Sequence, residues 1–216
     1  MRGLAFIGGE APGPEALREI ARGADLLVAA DSGLALCEGA GLRPDWVLGD
    51  MDSLDDPHRL EKYNPERVRR FPPDKDFTDT ELALALLKEQ GCNEIWIAGG
   101  GGGRLDHLFA IRSLFEGEEP PDRWFPGKEE IRCLGEGRAL SASLPAGSMV
   151  SVFPVGRAGW EMESSGLKWP LDGLFWERGR GGRGVSNVVT AGPFEIRSLK
   201  GRFMVLMPML FGKMEV

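Results

Sequence analysis

Four short stretches of this chain gather residue types that can work on a charged, oxygen-rich ligand. Asp31 follows one apolar run, and Asp50 and Asp52 follow another with only Met51 between them. Asp74-Lys75-Asp76-Phe77-Thr78-Asp79 brings three acids, a lysine and a threonine to the start of a helical pattern. Five consecutive glycines, 99–103, lead into Arg104-Leu105-Asp106-His107. Carboxylates are the ligands of hard divalent cations, and a glycine-rich turn offers unobstructed backbone N–H groups to phosphate. Asp50 and Asp52 point to the same side if their backbone is extended, although Gly49-Asp50 and Asp52-Ser53 are also ordinary turn dipeptides. The acids of the third stretch complement a helix dipole whether or not an anion binds there. Arg104 has the fork geometry for phosphate, while His107 alone fits a packed histidine better than a catalyst.

These residues need a scaffold that brings them to one edge. Short apolar runs alternate with helical patterns through the first two thirds of the chain, as in βαβ units. Strands are expected at 4–7, 26–30, 46–48, 68–71 and 94–98, with a last one at 130–134. Helices are expected at 14–22, 32–39, after Thr78, and at 104–115, with a polar helical excursion at 58–66. Thr78-Asp79-Thr80-Glu81 reads as a capping box. In a parallel sheet with right-handed crossovers, the loops after the strands emerge along one edge. Gly8-Gly9, Asp31, Asp50-Met51-Asp52 and the five glycines then share a rim, where phosphate would lie on backbone N–H groups with a divalent cation between the charges.

From about residue 138 helical periodicity gives way to short β-rich runs (149–155, 160–163, 195–198, 203–207) separated by Gly, Pro and Ser. The expected fold class is therefore α/β, a parallel-sheet domain over 1–137 followed by a small antiparallel β domain, sandwich or barrel, over 138–216.

Composition sets the outer bounds. The chain has 216 residues, 42% hydrophobic and 27% charged, with a net charge of −7. That balance fits a globular protein and argues against a nucleic-acid surface, which needs clustered Lys and Arg. No apolar run is long enough to span a membrane, and the first ten residues lack a secretory core, so the expected location is the cytoplasm. Cys37, Cys92 and Cys133 are widely spaced and read as free thiols. Gly179-x-Gly181-x-x-Gly184 matches a dinucleotide fingerprint but no βαβ unit surrounds it, and no P-loop motif occurs. The Asp50-x-Asp52 pair also suggests an aspartyl phosphatase, but Gly49 stands between strand and acid.

Taken together, Ala30-Asp31-Ser32-Gly33, the run from Pro44 through Gly49-Asp50-Met51-Asp52-Ser53, Lys75-Asp76-Phe77-Thr78-Asp79-Thr80-Glu81 and Gly102-Gly103-Arg104-Leu105-Asp106-His107 resemble the thiamine pyrophosphokinase family. The likeness continues with Gly166-Leu167-Lys168-Trp169 and Val185-Ser186-Asn187 and covers nearly the whole chain. Ser32 and Leu34 depart from the family pattern, and the loop before Arg104 carries extra glycine, but the acids are intact. The resemblance implies a homodimeric enzyme that moves the diphosphate of ATP to the hydroxyl of thiamine, with AMP released and Mg2+ required. It implies a metal cluster of Asp31, Asp50, Asp52 and Asp79, with Asp50, Asp52 and Asp79 as candidate catalytic acids. It places Lys75, Asp76, Thr78, Gly102, Gly103, Arg104, Asp106 and His107 around ATP, and Ser186 and Asn187 at thiamine. Trp169 is either a face for the cationic ring of thiamine or a core tryptophan. A diphosphokinase for another primary alcohol, such as a hydroxymethylpterin, a phosphatase built on the two aspartates, and a nucleotide-binding protein without turnover are the alternatives.

Overall fold

The computed structural model describes residues 1–51, 57–157, 159–177 and 184–209. The chain divides into two compact units: Met1–Ile111 with Trp124–Lys128, and Arg112–Arg123 with Glu129–Leu210.

The first unit is built from β1 (Arg2–Phe6), α1 (Pro14–Arg22), β2 (Leu26–Ala30), α2 (Gly33–Gly39), β3 (Trp46–Gly49), β4 (Val68–Arg70), α3 (Asp79–Glu89), β5 (Glu94–Ala98), α4 (Leu105–Leu114) and β6 (Arg123–Phe125). Strands β5-β1-β2-β3-β4 are neighbours in that order, and every pair among them is parallel. Residues 26–30, Leu-Leu-Val-Ala-Ala, are an uninterrupted apolar run, as befits a strand covered on both faces. Helix α1 starts on a proline and buries Leu17, Ile20 and Ala21, one stripe at i, i+3 and i+4. Helices α2 and α3 both pack on β1 and β2, and α3 also reaches β3. The polar excursion after β3 is two 3-10 turns, Pro57–Lys62 and Pro65–Arg67.

The capping box forms as the sequence suggests. Thr78 Oγ1 accepts from the Glu81 backbone N–H at 3.2 Å, and the Glu81 carboxylate accepts from the Thr78 N–H at 2.8 Å. This fixes the first turn of α3, where Asp79 sits.

The second unit is two antiparallel sheets. One has β11 (Asn187–Val188), β9 (Met149–Val155), β13 (Arg202–Pro208) and β7 (Glu129–Leu134) side by side; the other orders β10 (Glu161–Ser165), β12 (Pro193–Lys200) and β8 (Ala139–Ser143). Both contribute to one core: Val150, Val152, Phe203 and Val205 from the first, Leu140, Met162, Phe194 and Ile196 from the second. With both sheets sharing this core, the second unit is a sandwich and not a barrel. Sequence patterning passed over β6, β8 and β11. They are three, five and two residues long, and alternation needs length to register.

Candidate functional site

The carboxyl ends of the parallel strands carry the acids as the topology requires. Asp31 directly follows β2 and Asp50 directly follows β3, and α3 brings Asp79 up beside them. Ligand oxygens of Asp31, Asp50 and Asp79 all lie within 4.8 Å of one another. The backbone is bent for this: Asp31 and Met51 both have left-handed φ, 47° and 65°. Such conformations cost of order 1–3 kcal/mol in non-glycine residues and cluster at functional sites. The turn also brings the Met51 N–H to Asp31 Oδ1 at 3.4 Å. Gly49 is required by the same crowding, since a Cβ there would sit 2.0 Å from Asp31 Oδ1 and its φ is +140°.

Lys75 is the cation of the cluster. Its ammonium is 3.3 Å from Asp50 Oδ2 and 3.2 Å from Asp79 Oδ1. Burial works to lower its pKa, and the hydrogen bonds and charges of Asp79 and Asp50 outweigh that and raise it. Asp31 is pushed up to about 7, first by burial, then by its hydrogen bond to Asp79 and the charges of Asp79 and Asp50, with the Met51 N–H pulling the other way. Among the described residues one ammonium, that of Lys75, stands against these three carboxylates. Oxygen-only donors at this spacing suit a small hard cation: ligands about 2.1 Å from a Mg2+ stand roughly 4 Å apart across it.

Asp52 lies outside the described residues, as does most of the Gly179-x-Gly181-x-x-Gly184 stretch. Asp76 and Thr78 are exposed, and the Thr78 hydroxyl is taken up by Glu81 at 2.8 Å. Gly102 and Gly103 are exposed with φ near +60°. Arg104 forks onto Asp106, with distances of 3.2 and 2.5 Å, and that ion pair stands in solvent. It holds the Asp106 carboxyl down to about 2, chiefly through the Arg104 hydrogen bond. His107 is exposed, which removes the packed-histidine reading.

In the second unit, Trp169 is 52% exposed and so is not a core residue; the Lys168 ammonium lies 4.6 Å from its ring centre. Asn187 is 3% exposed and its amide is already engaged. Its Oδ1 accepts from the Trp169 N–H at 3.1 Å and the Val188 N–H at 2.9 Å, and its Nδ2 donates to the Trp169 carbonyl at 2.6 Å. Ser186 has a φ of 58°, and its N–H donates to Ser151 Oγ at 3.0 Å. Asn187 therefore sets the backbone that presents Trp169.

Sequence reasoning missed Met51 as the N–H donor to Asp31 and missed Glu10, which bridges to the glycine loop. Neither residue type signals such a role. The adjoining Gly49 and Gly8-Gly9 were the available clues.

Residues 17–119 match the family model described as thiamin pyrophosphokinase, catalytic domain. The chain is 28% identical over 152 residues, 68% of its length, to a Bacillus subtilis (strain 168) protein named thiamine pyrophosphokinase, of which 71% is covered. It is also similar to the crystal structure of thiamin pyrophosphokinase from Geobacillus thermodenitrificans, with a TM-score of 0.75 and 27% identity over 98% of this chain and 99% of that one. Against the crystal structure of the Bacillus subtilis enzyme the TM-score is 0.77 at 24% identity, covering 97% and 99% of the two chains, a likeness of fold.

Proposed function

We propose that this chain, whose residues 17–119 match the thiamin pyrophosphokinase catalytic-domain family, transfers the β,γ-diphosphate of ATP to the hydroxyl of thiamine and releases AMP. The observation that carries the reading is the close triad of Asp31, Asp50 and Asp79, with Lys75 among them, at the edge of a parallel sheet in a chain with that family's catalytic domain.

Asp31, Asp50 and Asp79 would hold Mg2+, and Asp52 follows Asp50 as a further candidate ligand. Held there, the ion would neutralise charge on the phosphate oxygens and on the carboxylates that face them. Lys75, held between Asp50 and Asp79, supplies a second positive charge to the transferring group. A carboxylate among Asp50, Asp52 and Asp79 accepts the proton of the attacking hydroxyl. Phosphoryl-type transfer asks for charge neutralisation and in-line positioning more than for covalent participation, which suits a site that holds its acids on strand ends and a capped helix. Lys75, Asp76, Thr78, Gly102, Gly103, Arg104, Asp106 and His107 remain the candidate ATP segment.

For thiamine the reading rests on the second unit. An exposed Trp169 ring offers a π face to a cationic heterocycle. Asn187 acts by holding Trp169 through the three hydrogen bonds above, and Ser186 adds a hydroxyl beside it. A homodimer and a cytoplasmic location belong to the same proposal; among the described residues no helix is long and apolar enough to cross a membrane.

The deciding experiment incubates the protein with ATP, Mg2+ and thiamine and separates the products. AMP and thiamine diphosphate in equal amounts are expected. Thiamine monophosphate with ADP, or phosphate release from esters without ATP, would replace this reading. Asn187→Ala should raise the thiamine KM severalfold with the ATP KM unchanged, as expected for losing hydrogen bonds that hold the exposed ring.

A further inference from the structure

Strand order lays the post-strand loops out as a line. Along β5-β1-β2-β3 the rim carries in turn the glycine loop, the loop from Gly8 to Glu10, Asp31 and Asp50. Neighbouring strands stand about 4.8 Å apart, so β1 is one spacing from the strand that carries Asp31 and β5 is two. A nucleotide whose phosphates lie over Asp31 and Asp50, and which runs along the rim on the glycine side, carries its sugar towards β1 and β5.

Glu10 occupies that place and is held there. Its N–H donates to the Gly101 carbonyl at 2.6 Å and its own carbonyl accepts from the Gly101 N–H at 2.9 Å, an antiparallel bridge that ties the β1 loop to the glycine loop. Gly100 adds a third link, its N–H donating to the Gly8 carbonyl at 2.9 Å. The Glu10 carboxylate lies over two glycines. A Cβ at Gly102 would come within 2.7 Å of its Oε2, and one at Gly127 within 3.4 Å of its Oε1. At Gly102 the missing side chain leaves room that the carboxylate takes, while a Cβ at Gly127 would make only ordinary contact with it. Among the described residues no side chain pairs with it, and it stands exposed on the rim.

An unpaired carboxylate beside a glycine loop repels phosphate and accepts from neutral donors. We propose that Glu10 is a specificity-determining residue that accepts hydrogen bonds from the ribose hydroxyls of the nucleotide. The proposal rests on the ATP reading above and assigns the glycine loop's neighbourhood to the sugar, with the phosphates left to the acids and Lys75. A pair of vicinal hydroxyls is the donor set a carboxylate accepts best, with one oxygen for each.

The test compares Mg2+-dependent binding of ATP and of 2′,3′-dideoxyATP by equilibrium titration to the wild-type protein, Glu10→Gln and Glu10→Ala. Wild type should bind the dideoxy nucleotide about tenfold more weakly or worse, the scale of hydrogen bonds to a charged acceptor. Glu10→Ala should bind ATP and dideoxyATP alike, and Glu10→Gln should keep part of the preference through its amide oxygen. Thermal melting confirms that each variant is folded, and Glu10→Gln serves if Glu10→Ala is not. Equal preference in wild type and Glu10→Ala, or no preference in wild type, overturns the assignment of Glu10 and leaves the diphosphokinase reading standing. A wild-type protein that binds neither nucleotide and consumes no ATP overturns that reading and this proposal together.

Discussion

Two clusters of charged side chains in this molecule use the same chemistry in opposite proportion. In the first unit three carboxylates, Asp31, Asp50 and Asp79, share one ammonium, that of Lys75. In the second, Glu130 on β7 is completely buried and bonds both Arg123 and Arg132; the Arg123 contact is 2.7 Å. The Glu130 cluster sets two guanidinium groups on one carboxylate and closes that carboxylate off from solvent. The aspartate cluster sets three carboxylates against one ammonium among the described residues, keeps all three acids partly exposed, and holds Asp31 and Met51 in a costly backbone conformation. A sealed charge pair makes the fold depend on both partners; reachable carboxylates on a bent backbone are poised for a ligand.

The comparison can be broken at either cluster. Removing the buried carboxylate should have the largest effect on stability. Glu130→Ala takes the buried carboxylate away from Arg123 and the half-buried Arg132 and should cost about 3 kcal/mol, read as a fall in denaturant midpoint. If Glu130→Ala melts like wild type, the cluster is not structural.

Asp50→Asn and Asp79→Asn should do the reverse. Each should lower turnover at least tenfold, about 1.4 kcal/mol in the barrier, while the melting temperature stays level or rises because like-charge repulsion is relieved. Wild-type turnover in both would remove the triad from the site. Asp52→Asn belongs in the same series.

The cysteines report on the two regions separately. Cys37 lies in α2, just after Asp31, and Cys133 lies on β7 beside Arg132. Burial pushes both thiols up to about 12, so at pH 8 almost none is thiolate and labelling should be slow in the native protein. Raising the pH towards 12 should speed it, since the thiolate is the reactive form. Glu130→Gln should expose Cys133 to a thiol reagent and leave Cys37 protected; Asp50→Asn should change neither. Fast labelling of Cys37 in the wild type would show that the first unit is looser than its packing implies.

Smallest is the cap. Thr78→Ala removes the acceptor for the Glu81 N–H and should cost about 1 kcal/mol. Because that turn carries Asp79, the variant should also raise the Mg2+ concentration needed for half-maximal rate by a small factor. A loss of stability with no change in metal dependence would separate the cap from the site.

Much of this molecule is determined by local sequence. Apolar runs of strand length, Pro14 at a helix start and the box Thr78-x-x-Glu81 specify elements through interactions within a few residues, so β2, α1 and α3 are legible in the chain. The acids are legible too, because they follow strands whose carboxyl ends must share an edge. What each charge does was decided by tertiary structure. Arg104 and Lys75 are both cations beside aspartates, yet Arg104 is spent on Asp106 in solvent while Lys75 is enclosed by Asp50 and Asp79. Asn187 has the groups of a ligand contact and uses them on the backbone of Trp169. Glu10 looks like any surface acid until the bridge to Gly101 places it over Gly102. Pattern and spacing specify where a backbone goes; the partner of a polar atom depends on residues distant in sequence, which only packing brings within hydrogen-bond range.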